Sequence, residues 1–284
     1  IDLFSGIGLV IVDECHHMSA EVFSNALFKA VAPHMLGLSA TMTRKDGLSR
    51  VFKMFLGDVV AKRVQATHTK VHVQHYRNTD EEFNETVMGF QGTVNFSSML
   101  SKISKCDHRL DYTADTVRGL IEKDGREQIL VLTHFRVMID ALSDRFVAMG
   151  IDHGYYVGGM KQVDLDKSAT RRVVLGTYAM AAEGLDIKTL DTLVLASPKS
   201  DVVQSVGRVQ RSPTAVPLVV DIVDPHPCFR RQYEKRARFY RKNQFEITEI
   251  GAKRTLTAAQ KAQDKMCLAQ ENERKAADEL QQAR

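Results

Sequence analysis

The sequence predicts an α/β protein built on parallel sheets and divided into two domains. Three observations carry this. Short all-apolar runs of strand length alternate with segments whose apolar residues recur at helical spacing. Charged or hydroxyl residues stand directly after several of those runs, where open parallel sheets place their ligands. The 284 residues are enough for two domains of ordinary size.

Composition narrows the class. Apolar content of 44% and charged content of 26% are those of a globular protein in water. A net charge of +4 permits a polyanionic partner without demanding one. Cysteines at positions 15, 106, 228 and 267 form no C-x-x-C pair, which argues against a zinc site and against a disulfide framework. A reducing, intracellular setting for a soluble protein follows. No apolar run reaches membrane-spanning length, so no membrane association is expected. Residues 1–12 lack the charged start and cleavage site of a signal peptide.

Gly8–Val12, all but the glycine apolar, suits a strand buried on both faces. Because the chain opens so close to this strand, it is expected to have lost its beginning. Ser19 can cap a helix running to about Val31. His34–Ser39 is a second short strand. Residues 67–112 are polar, with a turn at Asn78–Glu82, modest strand signal at Val71 and Val73, and helix after Asn95. They read as an interdomain connector. A second α/β pattern occupies 113–250: a strand at Gln128–Phe135, a helix carrying Ile139, Leu142, Phe146 and Met149, then strands at Arg172–Gly176, Thr192–Ala196 and Leu218–Val223. The link from Gly159 to Arg172 leaves room for only a trimmed helix. The tail, 251–284, is rich in Ala, Gln, Lys and Glu and reads as helical or disordered.

Two blocks carry most of the chemistry. Asp13-Glu14-Cys15-His16 follows the first strand. A carboxylate there can hold Mg²⁺, commonly through water, while the metal bridges nucleotide phosphates. Its neighbour Glu14 can orient and deprotonate a water. Cys15 reads as a small buried residue. His16 could couple a nucleotide site to the second domain, although alone it would suit capping or packing. The second block is Gln204–Arg211. Arg208 and Arg211 are spaced i,i+3 and on a helix would face one way, as a γ-phosphate requires; in isolation they would equally be a solvated face. Gly207 permits close backbone approach.

Two further strand ends have candidates. Ser39-Ala40-Thr41 could bond His16 or Asp13, or simply begin a helix. Thr177 offers a hydroxyl to a nucleic-acid phosphate, Gly184 permits a tight turn, and Asp186 could reach a nucleotide or brace Arg211. Residues 226–242 carry seven Lys and Arg against one acid, Glu234, with four aromatics interleaved. They could track a phosphate backbone or form a helix with its aromatics packed inward.

In this order the blocks resemble the conserved motifs of superfamily 2 helicases: Asp13–His16 motif II, Ser39–Thr41 motif III, Thr133–Arg136 the place of motif IV, Gly176–Asp186 motif V and Gln204–Arg211 motif VI. The phrases Leu36–Leu48 and Ala182–Asp186 look most like the XPB-type branch and the helicases of large nucleocytoplasmic DNA viruses. The resemblance implies two RecA-like domains, the first incomplete (1–66), with the connector, the second domain and the tail as above. It implies ATP and Mg²⁺ as cofactors, a nucleic-acid partner, DNA in preference to RNA, and a viral setting. Asp13 and Glu14 would serve the metal and the water. Gln204, Arg208 and Arg211 would face the γ-phosphate, with Arg211 as arginine finger. Thr177 would contact the strand. No G-x-x-x-x-G-K-[ST] loop occurs in these residues, so the fragment alone is expected to be inactive. A motor that translocates, anneals or serves a restriction system without unwinding remains an alternative, as does a non-catalytic nucleic-acid-binding module.

Overall fold

A computed structural model describes residues 6–15, 21–30, 32–39, 49–61, 68–89, 92–183, 185–212 and 216–251. The chain divides into two compact units, Ile1–Ala66 and Thr67–Arg284. The expected tail, apart from its first residue, lies outside the described residues.

In the first unit, β1 (Leu9–Val12) pairs in parallel with β2 (His34–Gly37), and α1 (Glu21–Lys29) and α2 (Ser49–Leu56) accompany them. Burial of β1 on both faces is not observed. Leu9 and Ile11 are 50% and 55% exposed, because this sheet has two strands among the described residues and one side of β1 is uncovered. At the end of β2 the packing is tight. A Cβ on Gly37 would lie 2.7 Å from Leu56 Cδ1 and 3.0 Å from Cys15 Sγ, so only glycine lets α2 and Cys15 close on the strand.

The second unit is a seven-stranded sheet, parallel throughout. Its strands are β3 (Lys70–His75), β4 (Ile129–Thr133), β5 (His153–Tyr156), β6 (Val173–Thr177), β7 (Thr192–Leu195), β8 (Leu218–Val223) and β9 (Glu246–Ile250), in the spatial order 5-6-4-7-8-3-9. Apolar runs in β4, β7 and β8 are buried on both sides. Ile129, Val131, Val194 and Val220 pack on α4 (Phe96–Lys105), α5 (Asp107–Glu122) and α6 (Arg136–Ala148). Leu130, Leu132, Leu195 and Val219 pack on α7 (Gln162–Ala169), α8 (Tyr178–Glu183), α9 (Val203–Val209) and α10 (Pro227–Lys242). A four-residue turn of helix, α3 (Glu81–Asn84), is capped by Asp80.

Residues 67–112 are therefore not a connector. Their strand β3 is inserted between β8 and β9, with Val71 and Val73 fully buried. Parallel pairing on both sides gave those two valines a core that their polar flanks had hidden. Helix after Asn95 is present, with the Asn95 side chain accepting from the Ser98 amide at 3.0 Å. The helix between Gly159 and Arg172 is the expected short one, α7.

Two buried ion pairs fix helices to β8. Arg109 of α5 donates from Nε and Nη2 to the Asp224 carboxylate at 2.7 and 3.1 Å, and also to the Ala196 carbonyl at 3.0 Å. Arg236 of α10 grips Asp221 at 2.8 and 2.7 Å and bonds the Lys199 carbonyl, while Tyr240 donates to Asp221 at 2.9 Å. Removing one partner leaves the other buried and uncompensated. Arg109→Leu should lower stability by about 3–5 kcal/mol, read from the denaturant midpoint of the chain. A loss below about 1 kcal/mol would mean that water reaches Asp224.

Candidate functional site

Asp13 sits at the carboxyl end of β1. The pairing continues past the strands, with Leu38 donating to Val12 and Cys15 to Leu38 at 2.8 and 2.9 Å. These bonds turn the chain sharply, and Glu14 takes φ +47°, a left-handed conformation that a non-glycine residue adopts at some cost. Asp13 Oδ1 accepts the Glu14 amide at 2.9 Å. Both carboxylates are exposed while Cys15 is 1% exposed, and burial raises its thiol pKa, so it is no nucleophile. A hard, solvent-facing carboxylate oxygen fixed at a strand end fits Mg²⁺, which takes one or two protein carboxylates beside phosphate and water. Ser39 lies two residues past β2 and is half-buried. His16 and Thr41 fall outside the described residues.

In the second unit the chain leaves β4 toward β5 and β6 on one side, then crosses to β7 and β8 on the other. The carboxyl ends of β4, β6 and β7 thus meet at a topological switch point, where such sheets bind ligands. Thr133 and Thr177 are register partners there. The His134 amide donates to Ser197 Oγ at 3.0 Å, and His134 Nδ1 lies 2.8 Å from the same oxygen. Tyr178 donates to the Ser197 carbonyl at 2.6 Å, stacks edge-on against His134 at 4.9 Å, and carries the Lys199 ammonium over its ring at 4.9 Å. Burial, reinforced by Lys199, pushes the His134 pKa down to about 4. Sequence reasoning missed Ser197, Tyr178 and Lys199; the signal was that Ser197 follows the end of β7 as closely as Thr177 ends β6.

Thr177 Oγ1 accepts the Met180 amide at 3.4 Å and so helps start α8. At the other end of α8, Arg208 donates to the carbonyls of Ala181 and Ala182 at 3.2 and 2.9 Å. A guanidinium satisfies orphan carbonyls there and suits the negative end of the helix. Arg211 Nη1 donates to Asp186 Oδ1 at 3.0 Å, the bracing contact that was one of two expectations for Asp186. A shared helix for the two arginines is not observed. The helix α9 ends at Val209 because Gln210 caps it, and Arg211 stands in the following turn. Both side chains nonetheless converge on residues 181–186. Gly207 is one turn back, and a Cβ built on it would touch nothing within 4 Å, which leaves the space beside it open. Gln204 is half-buried on α9, and Gly184 lies outside the described residues.

Other features do not join these sites. A cavity of about 690 Å³ is lined by Asn78, Phe83, Lys102, Cys106 and His108, none of them a motif residue. Among the described residues no group of three or more His, Cys, Asp and Glu could hold a metal, and no helix is long and apolar enough to cross a membrane.

Comparison with known proteins bears on these positions. The family described as "Helicase conserved C-terminal domain" matches residues 112–213, and "Type III restriction enzyme, res subunit" matches residues 2–44. A protein of Acanthamoeba polyphaga mimivirus named "Putative ATP-dependent RNA helicase" is 33% identical over 87% of this chain and 49% of its own length. African swine fever virus has a protein of the same description, 23% identical over 88% of this chain and 53% of its own. The chain thus spans about half the length of the curated relatives it matches. Among solved structures, S. cerevisiae Dbp5 bound to RNA and ADP BeF3 is similar in fold, with a TM-score of 0.58 at 13% identity, covering 86% of this chain and 59% of that one.

The depressed His134 pKa has a sign. The folded protein resists protonating a ring that titrates at its ordinary 6.5 when unfolded. Its contribution is complete above about pH 6.5 and is lost progressively as the pH falls toward about 4. A proton NMR titration should find His134 neutral at pH 5.5. A midpoint near 6.5 would mean that the cluster with Ser197 and Tyr178 is open to water.

Proposed function

This chain is of the superfamily 2 helicase family, similar to helicase-named proteins of large DNA viruses, and on that premise we propose that it supplies the hydrolytic and strand-gripping residues of an ATP-driven motor acting on nucleic acid. The observation that supports this reading best is the convergence of Arg208 and Arg211 on residues 181–186 beside the open space at Gly207. Arg208 is committed to carbonyls, whereas Arg211 is held by an ion pair whose side chains are 47% and 64% exposed. Such a pair is worth about 0–1 kcal/mol, so an arriving phosphate can take Arg211 from Asp186 at little cost.

In this proposal Asp13 holds the Mg²⁺ that accompanies ATP, and the metal neutralises phosphate charge. Glu14 orients a water and accepts its proton as the γ-phosphate departs. Gln204 positions the γ-phosphate, Arg208 steadies the end of α8 behind it, Arg211 neutralises the charge that develops on it, and Gly207 lets the phosphate approach the backbone. His16, Ser39 and Thr41 report nucleotide state, and Asp186 reclaims Arg211 after hydrolysis. Thr177, at the switch point, contacts a phosphate of the bound strand. We take that strand to be DNA, on the XPB-type phrases around motifs III and V; RNA, which the two relatives' names mention, is the competitor to run beside it. The restriction-subunit match at 2–44 favours a second reading, translocation without unwinding, which a strand-displacement assay separates from the first.

In the full-length protein that carries this chain, Glu14→Gln should abolish ATP hydrolysis while ATP binding persists; unchanged turnover would remove Glu14 from the mechanism. Arg211→Ala should slow hydrolysis by about 10³-fold or more. A tenfold loss or less would reduce Arg211 to a brace for the segment around Asp186.

A further inference from the structure

The basic segment 226–242 has a built form that motif comparison does not assign. Helix α10 buries Phe229, Tyr233, Ala237 and Tyr240, and Arg236 is consumed by Asp221. Its remaining cations do not spread evenly over the solvent side. Arg230, Arg238 and Arg241 stand at i, i+8 and i+11, one stripe along the helix. They line a groove of about 400 Å³ together with His75, Tyr233 and Glu234. The one lining residue from outside α10 is His75, at the end of β3.

His75 is held in place. Glu249 of β9 accepts from the Tyr233 hydroxyl at 3.4 Å and lies 3.3 Å from His75 Nε2, and the His75 and Tyr233 rings meet edge-on at 5.8 Å. Burial, with Glu249 beside it, raises the Tyr233 pKa, so the phenol stays protonated and continues to donate. Glu234 is the acid among the residues that line the groove with these three guanidiniums. Arg238 and Arg241 are exposed and have no ion pair among the described residues. Guanidiniums strung along about 16 Å of helix suit a row of phosphates better than one compact anion.

The groove begins at His75, the last residue of β3, on the same carboxyl edge that carries Thr177. Four strand spacings separate β6 from β3, roughly 19 Å. We propose that the groove along α10 beside His75 is a second nucleic-acid site, holding the phosphate backbone of the strand as it continues past the switch point, with Arg230, Arg238 and Arg241 as its contacts. This inference rests on the proposed motor function. It adds a grip that contributes affinity and no sequence readout, because guanidinium–phosphate contacts ignore base identity.

The test uses the full-length protein and a fluorescently labelled single-stranded oligonucleotide, with anisotropy followed against salt concentration. Arg238→Ala with Arg241→Ala should reduce the salt slope by about 1.4, at about 0.7 for each single-strand phosphate that is no longer neutralised. Binding should weaken equally on different sequences, and ATP hydrolysis without nucleic acid should not change. Arg118→Ala with Lys123→Ala removes the same charge from exposed positions on and just after α5 and should leave the slope unaltered. An unchanged slope in the α10 variant, with the wild type binding tightly, overturns the groove and leaves the motor reading standing. An equal fall in slope in both variants overturns it as well, since net charge alone would then account for the effect. A wild type that binds no strand overturns both proposals together.

Discussion

The second unit is organised around two guanidiniums buried against one strand. Asp221 and Asp224 belong to β8 and its exit, and each is paired to an arginine from a different helix. Neither arginine stops at its aspartate. Arg109 goes on to the Ala196 carbonyl and Arg236 to that of Lys199, so the four residues leaving β7 are held from both sides. Ionic pairs inside a protein contribute little net stability, because desolvation consumes most of the Coulombic gain. What they confer here is position. A loop at the carboxyl edge of a parallel sheet has no strand partner of its own, and without those bonds Ser197 would not be fixed beneath His134 and Tyr178.

Three arginines of this unit show the same chemistry used at three strengths. Fully buried, Arg236 is structural and does not leave Asp221. Half-buried, Arg208 closes the end of α8. Arg211, exposed and past the helix terminus, has a weak hold on Asp186. The gradient in burial decides how readily each guanidinium can be drawn from its partner, and for Arg208 and Arg211 it follows from where α9 stops. Had the helix continued, Arg211 would have been drawn onto its face beside Arg208.

Much of this was legible in the sequence, and the boundary is instructive. Mainly apolar runs located β4, β6, β7 and β8 within a residue or two, because a strand covered on both faces has few polar positions to confuse the reading, Asp221 of β8 being one. Ile139, Leu142 and Phe146 marked the buried face of α6 correctly. Failures came where burial is supplied from far along the chain. Nothing near Val71 and Val73 indicates that residues 218–223 and 246–250 will flank them. β1 failed in the opposite sense: its composition is that of a core strand, yet among the described residues it is covered only in part. At the candidate sites, residue types and spacing singled out Asp13, Thr177, Asp186, Arg208 and Arg211, and the structure places each at or just past a strand end or a helix end. Ser197 and Tyr178 were missed because their role depends on three strands meeting at one edge, a property of topology alone.

The insertion of β3 between β8 and β9 also dictates an order of events during synthesis. The strand made first in this unit is flanked by the two made last. Until the ribosome has delivered residue 223, Val71 and Val73 have neither of their partner strands, and the loop that must close to pair them is most of the unit. The unit therefore cannot mature strand by strand from its amino end. It must hold an unpaired strand in waiting, the state in which nascent chains most need a chaperone and most readily pair with the wrong neighbour.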